Sequence, residues 1–196
     1  MVRSPILAST ALALALALGP GFAGAAGDKP VTGQGTSQTG QSSKAEQQRA
    51  ATEEYVAKAG AGDLFEVETG KLAAQRASSS SVKQFGRMMT QDHSASTDKI
   101  RQAATKALDG KVPPAEMTSH QRATTKRLME AEGRAFDRLY VDAQIEAHRE
   151  ALQLHRGYAQ SGSDPELKKV AAEIAPIVER HLAELRKISN TVLGSN

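Results

Sequence analysis

The stretch VKQFGRMMTQDHSASTDKIRQAATKAL, residues 82–108, decides the fold. Val82, Phe85, Met89, His93, Ser96, Ile100, Ala103 and Ala107 recur at steps of three and four, the spacing of one face of an α-helix. A histidine therefore sits in the middle of an apolar stripe. Gly110 supplies a left-handed terminator for this helix, and the segment from Lys111 to Met117, with Pro113-Pro114, reads as a connection. Thr118 and Gln121 then have the spacing of a capping box.

A third helix is expected from about Ser119 to Gln160, with Asp137, Val141, Gln144, His148, Leu152 and His155 on one face. A fourth starts at Ser163 or Asp164, with Pro165 in the first turn, where its missing N–H does no harm. Its apolar face carries Leu167, Val170, Ile174, Ile177, His181, Leu185 and Ile188, and Pro176 is expected to kink it. On the other side of the opening stretch, Ser78 to Ser81 interrupt the pattern and offer a serine N-cap. Before them a first helix has its core from about Thr52 to Ala77, with an earlier start allowed at Ser43. Leu64, Phe65, Glu68 and Leu72 share one face of it, while Ala59, Gly62, Glu66, Gly70 and Ala73 make a face of mostly small residues. A helical glycine costs about 1 kcal/mol relative to alanine, so Gly60, Gly62 and Gly70 point to close approach by a neighbour or space for something bound. Four amphipathic helices and no strand pattern predict an all-α, antiparallel up-down-up-down four-helix bundle.

Residues 1–25 have a basic start at Arg3, an apolar run from Ile6 to Leu18, and small residues around Ala23-Gly24-Ala25. This is the layout of a cleavable signal peptide, since a membrane span needs roughly 20 apolar residues. Residues 26–45 are polar and read as a disordered tether, leaving residues 46–191 for the bundle. The 196 residues contain no cysteine, so neither a disulfide nor a thiolate ligand is available. The net charge of +3 is spread over alternating signs, and no cluster of Lys and Arg interleaves with aromatics. That composition argues against nucleic-acid binding. No helix of the mature part is apolar enough to span a membrane, so any envelope association would be peripheral; no partner is indicated.

Chain counting at 1.5 Å per residue, with the turns after helices one and three at the same end, places Glu68 roughly 15 Å down and Glu66 roughly 18 Å down. His93 and His148 both fall at about 21 Å and His181 at about 27 Å. Histidines from three helices with a carboxylate suit a transition metal such as Zn, Fe, Mn or Cu, whereas Mg or Ca prefers oxygen donors. The candidate ligands are His93, His148, His181 and either Glu66 or Glu68. The competing reading keeps the histidines hydrogen-bonded in a metal-free core. Met89, one turn from His93, offers a thioether for copper but more commonly such a residue fills a core. His120 and His155 lie near helix ends and read as solvent-facing or capping residues. No catalytic residue is assigned: Ser, Asp and His occur without a nucleophile turn.

Two groups of motifs carry a family resemblance. The run Gly62-Asp63-Leu64-Phe65-Glu66-Val67-Glu68-Thr69-Gly70-Lys71-Leu72-Ala73, followed by Val82-Lys83-Gln84-Phe85-Gly86 and Asp92-His93, resembles the exported bacterial proteins grouped as domain of unknown function 4142. Phe136-Asp137-Arg138 with Tyr140 and His148, and Asp164-Pro165-Glu166-Leu167-Lys168 with Pro176 and His181, resemble the same family over about residues 52 to 190. The resemblance implies a ferritin-like bundle in the bacterial envelope, periplasmic or outer-membrane-associated, without an established activity. Di-iron carboxylate bundles use two Glu-x-x-His pairs. Here Thr90, Ile145 and Val178 stand three residues before the histidines, which argues against di-iron oxidase chemistry. The expected protein is thus an exported bundle with a histidine-rich mononuclear metal site, or a metal-free envelope interaction or stress protein.

Overall fold

A computed structural model of the chain describes residues 37–194. It contains five helices, and no strand among the described residues: α1 Ser37–Arg76, α2 Ser80–Ala107, α3 Ser119–Glu130, α4 Gly133–Ser161 and α5 Pro165–Gly194. The signal peptide and most of the tether expected from the sequence lie outside the described residues. The remainder of that tether is helical, because α1 already begins at Ser37. The third helix divides into α3 and α4. Ala131 and Glu132 are extended, with ψ of 152° and 159°, and Gly133 has a φ of +56°, so the helical hydrogen-bond ladder cannot pass them.

Capping chemistry fixes several ends. Thr118 and Gln121 form the reciprocal capping box, and the Asp164 carboxylate accepts from the Leu167 N–H at the start of α5. The serine cap expected for α2 is replaced by a tertiary one. Asp137 of α4 accepts from the backbone N–H groups of Ser78 and Ser79, each at 2.9 Å, while the Ser79 hydroxyl turns to Ser81. Pro176 lies inside α5, which continues past it to Gly194.

Each long helix packs against two others: α1 against α2 and α4, and α5 against α4 and α2. Two apolar clusters show the direction of each. In the first, Tyr55, Val56 and Ala59 near the start of α1 meet Ile100 and Ala103 near the end of α2, Tyr158 near the end of α4, and Leu167 at the start of α5. In the second, Ala73 and Ala77 of α1 meet Val82 and Phe85 of α2, Phe136 of α4, and Leu185 of α5. The long helices therefore run up, down, down, up, and the alternating order expected from the sequence is corrected. The cause is the segment between α2 and α4. Its extended part and α3 carry the chain back toward the end where α2 began, with Leu128 of α3 joining the second cluster.

Backbones touch where α1 crosses α2. A Cβ added at Gly86 would lie 2.6 Å from the Gly70 carbonyl oxygen, and one added at Gly70 would lie 2.7 Å from the Gly86 carbonyl oxygen. Gly86→Ala is expected to destabilise the protein by about 1–3 kcal/mol. Gly62→Ala, whose Cβ would meet nothing within 4 Å, should stabilise it by up to about 1 kcal/mol. Urea melts of both variants check this, and effects of the same sign would show that the two helices do not make this contact.

In the first cluster Tyr55 stacks on Tyr158 at 3.8 Å, and its hydroxyl shares a hydrogen bond with His155 Nδ1 at 3.1 Å. His155 is 3% exposed, which corrects the expectation that it faces solvent. Burial pushes its pKa down from 6.5 to about 4, with the His93 charge assisting and Asp63 opposing. The folded state thus refuses a proton that the unfolded chain accepts as pH falls below 6.5. Its contribution is complete above that pH and is lost toward pH 4, by on the order of 3 kcal/mol. Urea unfolding across pH 7 to 4 should show the stability gap between the wild type and His155→Gln narrowing as pH falls. A constant gap would refute the assignment.

Candidate metal centre

A polar layer lies between the two apolar clusters in every long helix. On α1 it is Asp63, Glu66 and Thr69; on α2, His93 and Ser96; on α4, Gln144 and His148; on α5, His181. Helical spacing explains the selection. Asp63 and Glu66 are three residues apart and share a face, while Glu68, two residues beyond Glu66, is turned about 200° away and is exposed. Glu68 therefore does not join the histidines. Tyr140, Gln144 and His148 follow one another at steps of four along the buried side of α4.

The three histidines come together with ring centroids 5.3, 5.5 and 5.7 Å apart. One nitrogen from each lies within 4.8 Å of the others. None is more than 5% exposed, and the Phe85 ring stands 6.1 Å from His148 and 6.2 Å from His181. His93 Nδ1 meets Asp63 Oδ1 at 2.8 Å. His148 Nδ1 meets the Gln144 carbonyl oxygen at 2.9 Å and Glu66 Oε1 at 3.3 Å. His181 Nε2 meets Asp92 Oδ2 at 2.9 Å.

Each of those oxygens accepts, so each facing nitrogen carries the proton. In neutral rings that leaves lone pairs on His93 Nε2, His148 Nε2 and His181 Nδ1. The last two face each other at 3.3 Å, and His93 Nε2 is buried with no hydrogen-bond partner. Neutral histidines cannot satisfy this arrangement, because no proton remains for the central contact. A positive charge at the centre can, supplied either by one more proton or by a cation that accepts lone pairs.

The surroundings favour positive charge but resist protonating His181. Burial, then the neighbouring His148, push the His181 pKa down to about 4 against the opposing pull of Asp92. Burial also works against His93, yet its hydrogen bond to Asp63 and the charges of Glu66, Asp63 and Asp92 outweigh it and raise the pKa. The opposite outcomes follow from the neighbours: Asp63, Glu66 and Asp92 all act on His93, whereas His181 has Asp92 alone in its favour and is repelled by His148 and His93. Glu66 shows the same field from the other side. Burial pushes its carboxyl up, but His148 and His93 together bring it below the ordinary value.

The donor set fits a transition-metal ion. In a tetrahedral zinc site with arms of about 2.0–2.1 Å, neighbouring nitrogens stand about 3.3 Å apart, the separation of His148 Nε2 and His181 Nδ1. Each imidazole already has its second nitrogen held by a carboxylate or a carbonyl, the outer-shell support that fixes tautomers in metal sites. Glu66 Oε2 is buried and without a hydrogen-bond partner, as are Tyr140 Oη and Gln144 Oε1. Met89 is packed in the second apolar cluster and His120 is exposed.

A family model described as Domain of unknown function (DUF4142) matches residues 36–188. The chain belongs to this family. No curated protein and no solved structure matches it. The residues that sequence reasoning did not single out in this DUF4142 chain are Asp63 and Asp92, which orient His93 and His181. Their signals were the three-residue step from Asp63 to Glu66 and the placement of Asp92 beside His93.

The proton assignment predicts the tautomers of the metal-free protein. Long-range ¹⁵N-edited spectra of the imidazoles at neutral pH should show His93 and His148 protonated on Nδ1 and bare, or shared with one bridging proton, on Nε2. Nε2–H signals for both rings would overturn the layer's hydrogen-bond scheme.

Proposed function

We propose that this protein is an exported bacterial envelope protein whose ferritin-like bundle holds one transition-metal ion through His93, His148, His181 and Glu66. The observation that carries the reading is the convergence of three imidazole nitrogens within 4.8 Å of one another, each on a ring whose other nitrogen meets an oxygen acceptor. A three-nitrogen, one-oxygen set suits Zn, Fe, Mn or Cu. The long return between α2 and α4 supports the ferritin-like assignment, since such folds carry one long crossover among four helices. The signal-like residues 1–25 support export. Among the described residues no helix is long and apolar enough to cross a membrane. With no Glu-x-x-His pair, the reading is metal binding without di-iron oxidase chemistry.

Untagged protein purified from the periplasm is expected to carry about one equivalent of a transition metal, with its melting temperature raised on adding that ion to stripped protein. Glu66→Gln should abolish or greatly reduce the shift, Asp63→Asn and Asp92→Asn should weaken binding by roughly 10–100-fold, and Glu68→Gln should change nothing. Less than a tenth of an equivalent, and no melting shift with zinc, copper, iron or manganese, would replace this reading with the metal-free interaction protein.

A further inference from the structure

A cleft of about 410 Å³ lies beside the polar layer, between α1, α2 and the connection that follows α2. It falls in the size range of small-molecule sites. The connection is held near α1 at a glycine: a Cβ added at Gly60 would meet Ala115 Cβ at 3.1 Å. The walls are apolar, built from Val56, Ile100, Val112, Pro113 and Pro114.

A count of the polar groups facing this space identifies what it can recognise. Asp63 is 3% exposed, and both its oxygens are engaged, Oδ1 by His93 and Oδ2 by Thr97. The Thr97 hydroxyl hydrogen is shared between Asp63 and the His93 carbonyl, and the Thr105 hydroxyl donates to the Arg101 carbonyl. Pro113 and Pro114 have no N–H to offer. The charged donor left on the lining is the Arg101 guanidinium, exposed at the mouth and without an ion-pair partner among the described residues. Of the nearby cations, Arg49 is paired with Glu53 and Asp109 and Lys99 with Glu173, while Lys106 and Lys111 are exposed beside the lining and are not lining residues themselves.

We propose that this cleft binds a small organic monocarboxylate with an apolar body, its carboxylate paired with Arg101 and its body against Ile100 and the two prolines. The site goes beyond the metal reading and does not depend on it, since none of the four proposed metal ligands is among its lining residues. The bound molecule would nevertheless lie one hydrogen bond from His93, through Asp63.

The test is a titration of the full chain, metal-free and metal-loaded, with octanoate, octan-1-ol and octylamine below their aggregation limits. Methyl-labelled NMR follows Val56, Ile100 and Val112. Octanoate is expected to shift these methyls saturably in both forms and to bind at least about tenfold more tightly than octanol or octylamine. Arg101→Gln should remove that preference, and Thr105→Trp, an exposed substitution at the mouth, should block binding without altering metal content. No saturable shift, equal affinity for octanol, or preference for octylamine would overturn the proposal. Loss of metal binding with octanoate binding intact would refute only the reading of the metal centre.

Discussion

The contact between His148 Nε2 and His181 Nδ1, 3.3 Å long, is the constraint on which the centre of this protein turns. Each ring is anchored at its far nitrogen, to the Gln144 carbonyl and to Asp92, so the near nitrogens confront each other with no proton left between them. Leaving a buried polar group without its partner costs about 1–3 kcal/mol, and more for a charged one. Glu66, 2% exposed with one oxygen unpartnered, adds to that cost. Replacing buried charged groups with apolar residues of the same volume is often neutral or stabilising. The bundle tolerates the polar layer because two apolar clusters, one on each side, hold the four helices at fixed separation.

That separation is set by backbone contacts and caps as much as by side chains. The Gly70–Gly86 approach brings α1 and α2 together about one turn from Glu66, on the side of the second cluster. Asp137 then ties the α1–α2 turn to α4 by accepting two backbone N–H groups. At the opposite end Thr52 links α1 to Tyr158 of α4 and to Ser163 in the α4–α5 turn. With both ends pinned, the histidine rings have little freedom to move apart, the preorganisation that a metal site requires.

Much of this is legible in the sequence, though one part is reached by a faulty route. The stripe through Phe85, Met89, His93, Ser96 and Ile100 is buried as its spacing indicates. Counting in an alternating bundle puts His93 and His148 in one layer, yet α2 and α4 run the same way. The count survives because both histidines lie near the middle of their helices, about 20 and 22 Å from the starts of α2 and α4. Reversing a helix leaves its midpoint in place. The same correction brings His181 into line, about 20 Å from the end of α5, so the expected mismatch of a turn disappears. Topology is hidden because hydrophobic periodicity records a face and not a direction, and because Glu132-Gly133 looks like helix interior. The roles of Asp63 and Asp92 are hidden for a related reason: a carboxylate on an amphipathic helix looks like surface until its tertiary partner is known.

The chemistry of the layer follows from which groups are absent as well as from those present. Di-iron bundles neutralise two ions with carboxylates supplied by all four helices. Here α2, α4 and α5 supply imidazoles, and α1 brings Glu66 against the outward nitrogen of His148 with its second oxygen unpartnered, while Asp63 and Asp92 meet the outward nitrogens of His93 and His181. Neutral donors bring little charge, so the set matches one divalent ion better than a pair. The outer carboxylates then have a definite physical role, because each holds the proton of its histidine on the outward nitrogen and keeps the inward lone pair available. A core histidine needs only to satisfy its hydrogen bonds, and this layer leaves His93 Nε2 unsatisfied beside a contact that lacks a proton. That pattern calls for a positive charge at the centre, supplied by one more proton or by a cation that accepts the lone pairs.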